Sequence, residues 1–240
     1  MIKTDTLKNG YKILQDTERF QFGIDAVLLA NFASRGLRNG ESVIDLGTGT
    51  GIIPLLMCPA AAANFVALEV QAESAALAEK SVAMNGLEGR IQIVNGDLKE
   101  VDKYFARHSF NLVTCNPPYM IGAHGAANEL DAKTIARHEV LCTLEDVVAA
   151  ADYLLAPHGR FFMIHRPFRL PEIFSSLEKH KMEMKCMRLI MPFAGKEPNM
   201  VMIEARKNAK RRLTIEPPLI VRNDDGNYTD EINIIYGVIK

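Results

Sequence analysis

The sequence predicts an α/β domain: a mostly parallel sheet with helices on both faces. Three observations carry that reading. Short apolar runs alternate with helical stretches from about residue 42 to about residue 206. A glycine-rich turn, Asp45-Leu46-Gly47-Thr48-Gly49-Thr50-Gly51, follows the first run. The next two runs finish at Glu69 and at Asn95-Gly96-Asp97-Leu98, so three successive strands carry an acidic residue at or near their ends. Open α/β sheets bind ligands at that edge.

Each element has its own warrant. Ser42–Leu46 and Asn64–Glu69 are apolar strands, with a helix from about Ile52 between them. Ala72–Met84 is alanine-rich and helical, and Asn85-Gly86 stops it. Arg90–Val94 and Phe110–Cys115 are the third and fourth strands. Leu144–Leu155 reads as a helix and Arg160–Ile164 as the fifth strand. Pro171 suits the first turn of a helix running to His180. Lys185–Met191 and Met200–Ala205 form a final strand pair. Residues 1–40 are an N-terminal extension with a helix over Ile24–Phe32, residues 41–212 the main domain, and residues 213–240 a tail packed on it. The tail contains Pro217-Pro218 and a short helix over Thr229–Tyr236.

Composition narrows the class. Hydrophobic residues make up 48% of the 240, enough for a full core, and no apolar run has the length of a membrane span. The N-terminus lacks a signal peptide's long apolar region. The 4 cysteines are scattered without a CxxC pair, and the 6 histidines lack ligand spacing. We therefore expect reduced thiols, a cytoplasmic protein and no metal site. A formal charge of −1 does not advertise nucleic acid, so any phosphate-binding surface must be local. Arg206-Lys207-Asn208-Ala209-Lys210-Arg211-Arg212 is either such a surface or a solvated loop.

Asn116-Pro117-Pro118-Tyr119, closing the fourth strand, is the feature richest in chemistry. An exocyclic amino or amide nitrogen is a poor nucleophile because its lone pair is delocalised. The Asn116 side-chain oxygen and the Pro117 carbonyl can accept its two N–H bonds, which frees that lone pair. Tyr119 offers a flat face for a planar group. The plainer reading is a Pro-Pro turn with an aromatic lid. In the glycine turn, alternate glycines depart from a GxGxxG dinucleotide fingerprint and suit a loop around a charged amino-acid tail. Asp45 can help hold an ammonium, Glu69 a ribose diol and Asp97 an adenine amine, although each carboxylate alone could be a helix cap.

These motifs, in this order, resemble class I S-adenosylmethionine-dependent methyltransferases. Within them the chain is similar to bacterial tRNA adenine N6-methyltransferases that modify adenosine 37 of valine tRNA. Further markers are Gln15-Asp16, Gly23-Ile24-Asp25-Ala26, Arg137-His138-Glu139, His165-Arg166-Pro167, Ala194-Gly195-Lys196 and Pro217-Pro218-Leu219. The resemblance implies a Rossmann-like, seven-stranded sheet of order 3-2-1-4-5-7-6. It also implies that Asp45, Gly47, Gly49 and Gly51 hold the methionine end of the cofactor, Glu69 the ribose, and Asp97 with Leu98 the adenine. Phe20 and Asp25 match a stretch that closes over the methionine end. Asn116, Pro117, Pro118 and Tyr119 form the catalytic tetrad, and tRNA is the implied partner. Arg137, His165, Arg166, Lys196, Lys210 and Arg211 are candidate RNA contacts. Methylation of guanine N2 in rRNA or of a protein glutamine amide, and RNA binding without catalysis, remain the alternatives.

Overall fold

The computed structural model describes residues 1–18, 21–117 and 142–239. It opens with an antiparallel hairpin, β1 (Ile2–Thr6) and β2 (Lys12–Asp16), in register from Ile2↔Asp16 to Thr6↔Lys12. Helix α1 (Ile24–Ser34) follows. Strands β3 (Ser42–Leu46), β4 (Asn64–Glu69) and β5 (Ile91–Asn95) alternate with helices α2 (Ile52–Met57) and α3 (Ala72–Met84). Then come β6 (Phe110–Cys115), α4 (Leu144–Leu154), β7 (Leu155–His165) and α5 (Leu170–Lys179). The chain ends with β8 (Met182–Phe193), β9 (Met200–Lys207), β10 (Thr214–Arg222) and α6 (Asp230–Ile235).

The large sheet runs β10-β8-β9-β7-β6-β3-β4-β5, with β9 antiparallel to both its neighbours and the remaining pairs parallel. Counted from β3, its first seven strands have the expected order 3-2-1-4-5-7-6. The expected strand count needs correction, because among the described residues the sheet has 8 strands. The segment read as a tail supplies the eighth, β10, hydrogen-bonded parallel to β8. Its prolines sit where the register shifts between Glu216 and Leu219. An edge strand tolerates a missing N–H there.

The central strands are buried on both faces, as the near-continuous apolar runs require. Alternation along them divides the core in two. Val43, Leu112 and Phe162 pack with α1 and α2, while Ile44, Val113, Phe161 and Met163 pack with α4 and α5. The terminal hairpin has no counterpart among the elements expected from sequence. It is fastened to the main body by Asn9 Nδ2 donating to Leu55 O at 2.9 Å and by Leu14 N donating to Ser81 Oγ at 2.9 Å. Among the described residues, no helix is long and apolar enough to cross a membrane.

The C-terminal segment is held by Arg188. Its side chain is 8% exposed and reaches Glu231 through two bonds of 2.6 and 2.8 Å, while Nε donates to Pro217 O at 2.8 Å. Removing it strands the Pro217 carbonyl and unfastens α6 from β8. Arg188→Ala should lower the unfolding free energy by about 1–3 kcal/mol in urea titration. A change within about 0.5 kcal/mol of wild type would show that the latch contributes nothing.

Candidate active site at the carboxyl edge of the sheet

Because β3, β4, β5, β6 and β7 run parallel, their last residues meet along one edge. Leu46 pairs with Cys115, so the chain leaves the two neighbouring strands side by side, into Gly47 from one and into Asn116 from the other. Glu69 pairs with Asn95 on the other side. The glycine turn, the acceptor amide and the acidic strand ends thus share one rim. Asn116 is half-buried and Pro117 buried. Pro118, Tyr119, Phe20 and Arg137 lie outside the described residues.

The glycine turn is held open from below. Gly47 N and Thr48 N both donate to Leu68 O, at 2.9 and 3.0 Å. Gly47 and Gly49 adopt φ of +68° and +58°, and a Cβ on either would meet nothing within 4 Å. Among the described residues their free side therefore faces space that a ligand can enter closely. Gly51, at φ +88°, acts differently, since its missing side chain lets α2 start against Ala78 of α3.

Asp45 is 1% exposed and accepts one hydrogen bond from the Thr114 hydroxyl, at 2.6 Å on Oδ1. Burial pushes its carboxyl up to about 7, against the pull of the Thr114 and Thr48 hydroxyls and with the added push of Glu69. Although Thr48 is near enough to exert that pull, neither Asp45 Oδ2 nor Thr48 Oγ1 has a partner of hydrogen-bonding geometry. A buried carboxylate oxygen and a buried hydroxyl left open at a ligand edge are matched to a cationic donor.

Glu69 is also buried. Its Oε2 accepts from Gly49 N and its Oε1 from Gln71 N, each at 2.9 Å. These two bonds orient the carboxylate and leave a lone pair on each oxygen for a vicinal diol. Asn95 Nδ2 braces the same strand end by donating to Glu69 O at 2.8 Å and Val70 O at 3.1 Å. Asp97 does cap a short 3-10 turn, with Oδ1 accepting from Lys99 N at 2.9 Å, and its Oδ2 lies 3.5 Å from Lys99 Nζ. Leu98 is buried. Asp25 stands in the first turn of α1, where its Oδ1 accepts from Ala26 N at 2.9 Å.

Four features of this edge escape sequence reading. Thr114 bridges to Asp45 only because the two pair across β3 and β6, a register no local pattern reveals. Thr48 gains its meaning from the same burial. Val70, next to Glu69, is apolar yet 39% exposed and offers a flat apolar contact. Tyr104 lies over Gly96, where a Cβ would come within 2.6 Å of the ring, so a side chain there would displace the ring.

The candidate RNA contacts divide by location. His165 ends β7 but is 2% exposed, and burial, then Arg169 and Arg166, holds it down at about 4. Its Nδ1 accepts from Arg166 N at 2.8 Å, leaving the proton on Nε2. It is therefore a neutral, buried imidazole and not a cation for phosphate. Arg166 Nη1 donates to Asn199 O at 2.9 Å. Lys196 is exposed in the turn between β8 and β9, at the same edge as Asn116. Lys210 and Arg211 stand elsewhere: β9 runs antiparallel, so its end at Lys207 delivers them to the opposite edge. There Arg211 pairs with Glu178 at 2.9 Å, and Lys210 O accepts from Lys185 Nζ at 2.7 Å. Among the described residues, no group of three or more His, Cys, Asp and Glu could hold a metal ion.

The fold and this edge are those of a methyltransferase. The methyltransferase small domain family model matches residues 23–185, and the chain belongs to that family. A tRNA1(Val) (adenine(37)-N6)-methyltransferase of Aeromonas hydrophila is 24% identical over 222 residues, covering 92% of this chain and 90% of the relative. A protein of the same name from Porphyromonas gingivalis is 27% identical over 216 residues, covering 87% and 84%. A solved predicted O-methyltransferase from Agrobacterium tumefaciens superposes with a TM-score of 0.71 at 22% identity, covering 88% of this chain and 95% of that one. A Thermus thermophilus 16S rRNA N2 G1207 methyltransferase, solved with AdoMet and guanosine, gives 0.60 at 20% identity, covering 86% and 50%.

The raised pKa of Asp45 predicts that binding of an ammonium-bearing ligand at this edge depends on pH. Only its ionised form attracts a cation, so an ammonium-bearing ligand binds with loss of the proton. Affinity should be level above about pH 7.5 and fall roughly tenfold for each unit below about pH 6.5. Calorimetry with S-adenosylhomocysteine from about pH 5.5 to about pH 8.5 checks this, and Asp45→Asn should bind weakly with the slope removed. An equally steep slope in Asp45→Asn would assign the effect to another group.

Proposed function

We propose that the protein transfers a methyl group from S-adenosylmethionine to the exocyclic N6 amine of an adenosine in tRNA, with adenosine 37 of valine tRNA as the particular target. The observation that carries this reading is the pairing of Leu46 with Cys115, which sets Asn116-Pro117 against the glycine turn. The particular target is supported by the names of relatives aligned over most of the chain.

The cofactor fits the residues present. Its amino-acid end carries the cation that Asp45 Oδ2 and Thr48 Oγ1 lack, and Gly47 and Gly49 leave room for its backbone. Glu69 would take the ribose diol, Asp97 and Leu98 the adenine, and the N-terminal extension with Phe20 and Asp25 would cover the methionine end. When bound, S-adenosylmethionine supplies an electrophilic sulfonium methyl.

The chain's own residues prepare the amine. Asn116 accepts one N–H of the adenine amino group through its side-chain oxygen, and the Pro117 carbonyl accepts the other. Both acceptors are strongest when the nitrogen is pyramidal, so they favour the geometry of the transition state over that of the planar ground state. Tyr119 stacks on the base, and Pro118 stiffens the turn that carries it. Because the departing group would need no protonation, the chain's residues would supply orientation and no acid, and the proton released by the methylated nitrogen would pass to water. The base must leave its stack to reach this rim, which an anticodon loop permits at small cost.

Asn116→Ala tests the reading. With an unmodified valine tRNA transcript, kcat should fall by about 10²–10³-fold while S-adenosylhomocysteine affinity stays within about twofold of wild type. Replacing adenosine 37 by guanosine in the transcript should abolish labelling by the wild-type protein. Normal turnover by Asn116→Ala contradicts the role of the amide, and undiminished labelling of the altered transcript contradicts the target.

A further inference from the structure

Phe168 is 62% exposed, although it sits three residues past the buried end of β7. It is presented by a 3-10 turn, Pro167–Arg169, in which Pro167 fixes the backbone and Arg169 N donates to Arg166 O at 3.1 Å. The turn is also tied sideways. Arg166 Nη1 donates to Asn199 O at 2.9 Å, and Asn199 N donates to Ile190 O at 3.0 Å. This joins the Phe168 turn to the turn between β8 and β9 that carries exposed Lys196. An aromatic ring is thus held in water on a braced loop, with a lysine on the loop beside it.

The sheet order shows what this pair faces. The glycine turn and acidic strand ends occupy β3, β4 and β5, on one side of β6. Phe168 follows β7, the next strand on the other side, and Lys196 lies between β8 and β9. At about 4.8 Å per strand, these positions lie roughly 5–15 Å across the rim from Asn116. A base held at Asn116 would have Phe168 and Lys196 on the side of the rim away from the glycine turn. Of the nearby acidic groups, Glu172 is engaged by Arg169 at 2.7 Å, whereas Glu197 stands beside Lys196 in the same turn and offsets part of its charge.

We propose that Phe168 is a stacking platform for an unpaired RNA base flanking the methylated adenosine, with Lys196 contacting the adjoining phosphate. This rests on the RNA-methylating reading above and extends it to the rest of the substrate. An aromatic face takes any base, so the platform would hold the loop without reading its sequence.

The test uses the full-length protein, a fluorescein-labelled RNA stem-loop with an unpaired adenosine in its loop, and fluorescence anisotropy at several salt concentrations. Phe168→Ala should weaken RNA binding about tenfold and leave the salt slope unchanged, because stacking releases no counterions. Phe168→Trp should restore affinity. Lys196→Ala should weaken binding and reduce the salt slope by about one. Affinity for S-adenosylhomocysteine should be unaltered in all three, which also reports that each is folded. Unchanged RNA affinity in Phe168→Ala, with the wild type still methylating tRNA, overturns the platform alone and assigns the ring to a different partner such as a protein. A wild type that neither binds the stem-loop nor labels tRNA overturns the platform together with the reading it rests on.

Discussion

The structure depends on the parallel pairing of β3 with β6 and β4. Parallel strands send their carboxyl ends to one side, and a one-residue slip would exchange the side chains packed in the two cores and carry buried Asp45 to the opposite face of the sheet. With that register set, Gly47 and Asn116 become neighbours and Glu69 falls beside the same rim. Nothing about the Asn116-Pro117 turn alone would place a methyl donor beside it. The sheet sets the glycine turn at the same rim, and the proposed chemistry follows from that adjacency.

The same register has a cost, concentrated at Asp45. A carboxyl inside the sheet with one hydrogen bond is destabilising when ionised, and its elevated pKa records that penalty. Thr114 offsets part of it, and an ammonium would offset more. Among the described residues Asp45 Oδ2 and Thr48 Oγ1 find no hydrogen-bond partner, and it is there that the proposed function seats the cofactor's ammonium. Glu69 is the contrasting case, held by two backbone N–H groups and ready to accept more. One acidic residue is kept in deficit and the other is already oriented.

Much of this is legible in the sequence, and the failures have physical causes. The strand-helix alternation and the glycine turn can be read because each rests on local periodicity or a local motif, whereas the order of the first seven strands is implied only by the resemblance to class I methyltransferases. The eighth strand reads as a tail because Pro217-Pro218 signals a break, whereas an edge strand with a shifted register accommodates both prolines. The terminal hairpin has strands of 5 residues, too short for alternation to stand out. Lys210 and Arg211 draw attention as a basic run, but a run carries no information about which end of a strand it follows. The antiparallel course of β9 puts them away from Asn116. His165 falls at the expected edge, yet only burial tells that it is neutral. Thr114 and Thr48 are invisible in sequence because their roles exist only through pairing and enclosure.

The most direct measurement is the identity of the methylated nucleoside. Unmodified total tRNA, incubated with the protein and deuterium-labelled S-adenosylmethionine, would be digested to nucleosides and analysed by mass spectrometry. An Asn116-Pro117 turn acting on adenine should give labelled N6-methyladenosine and no other labelled nucleoside. Label recovered as N2-methylguanosine, or recovered only in protein, would contradict that chemistry.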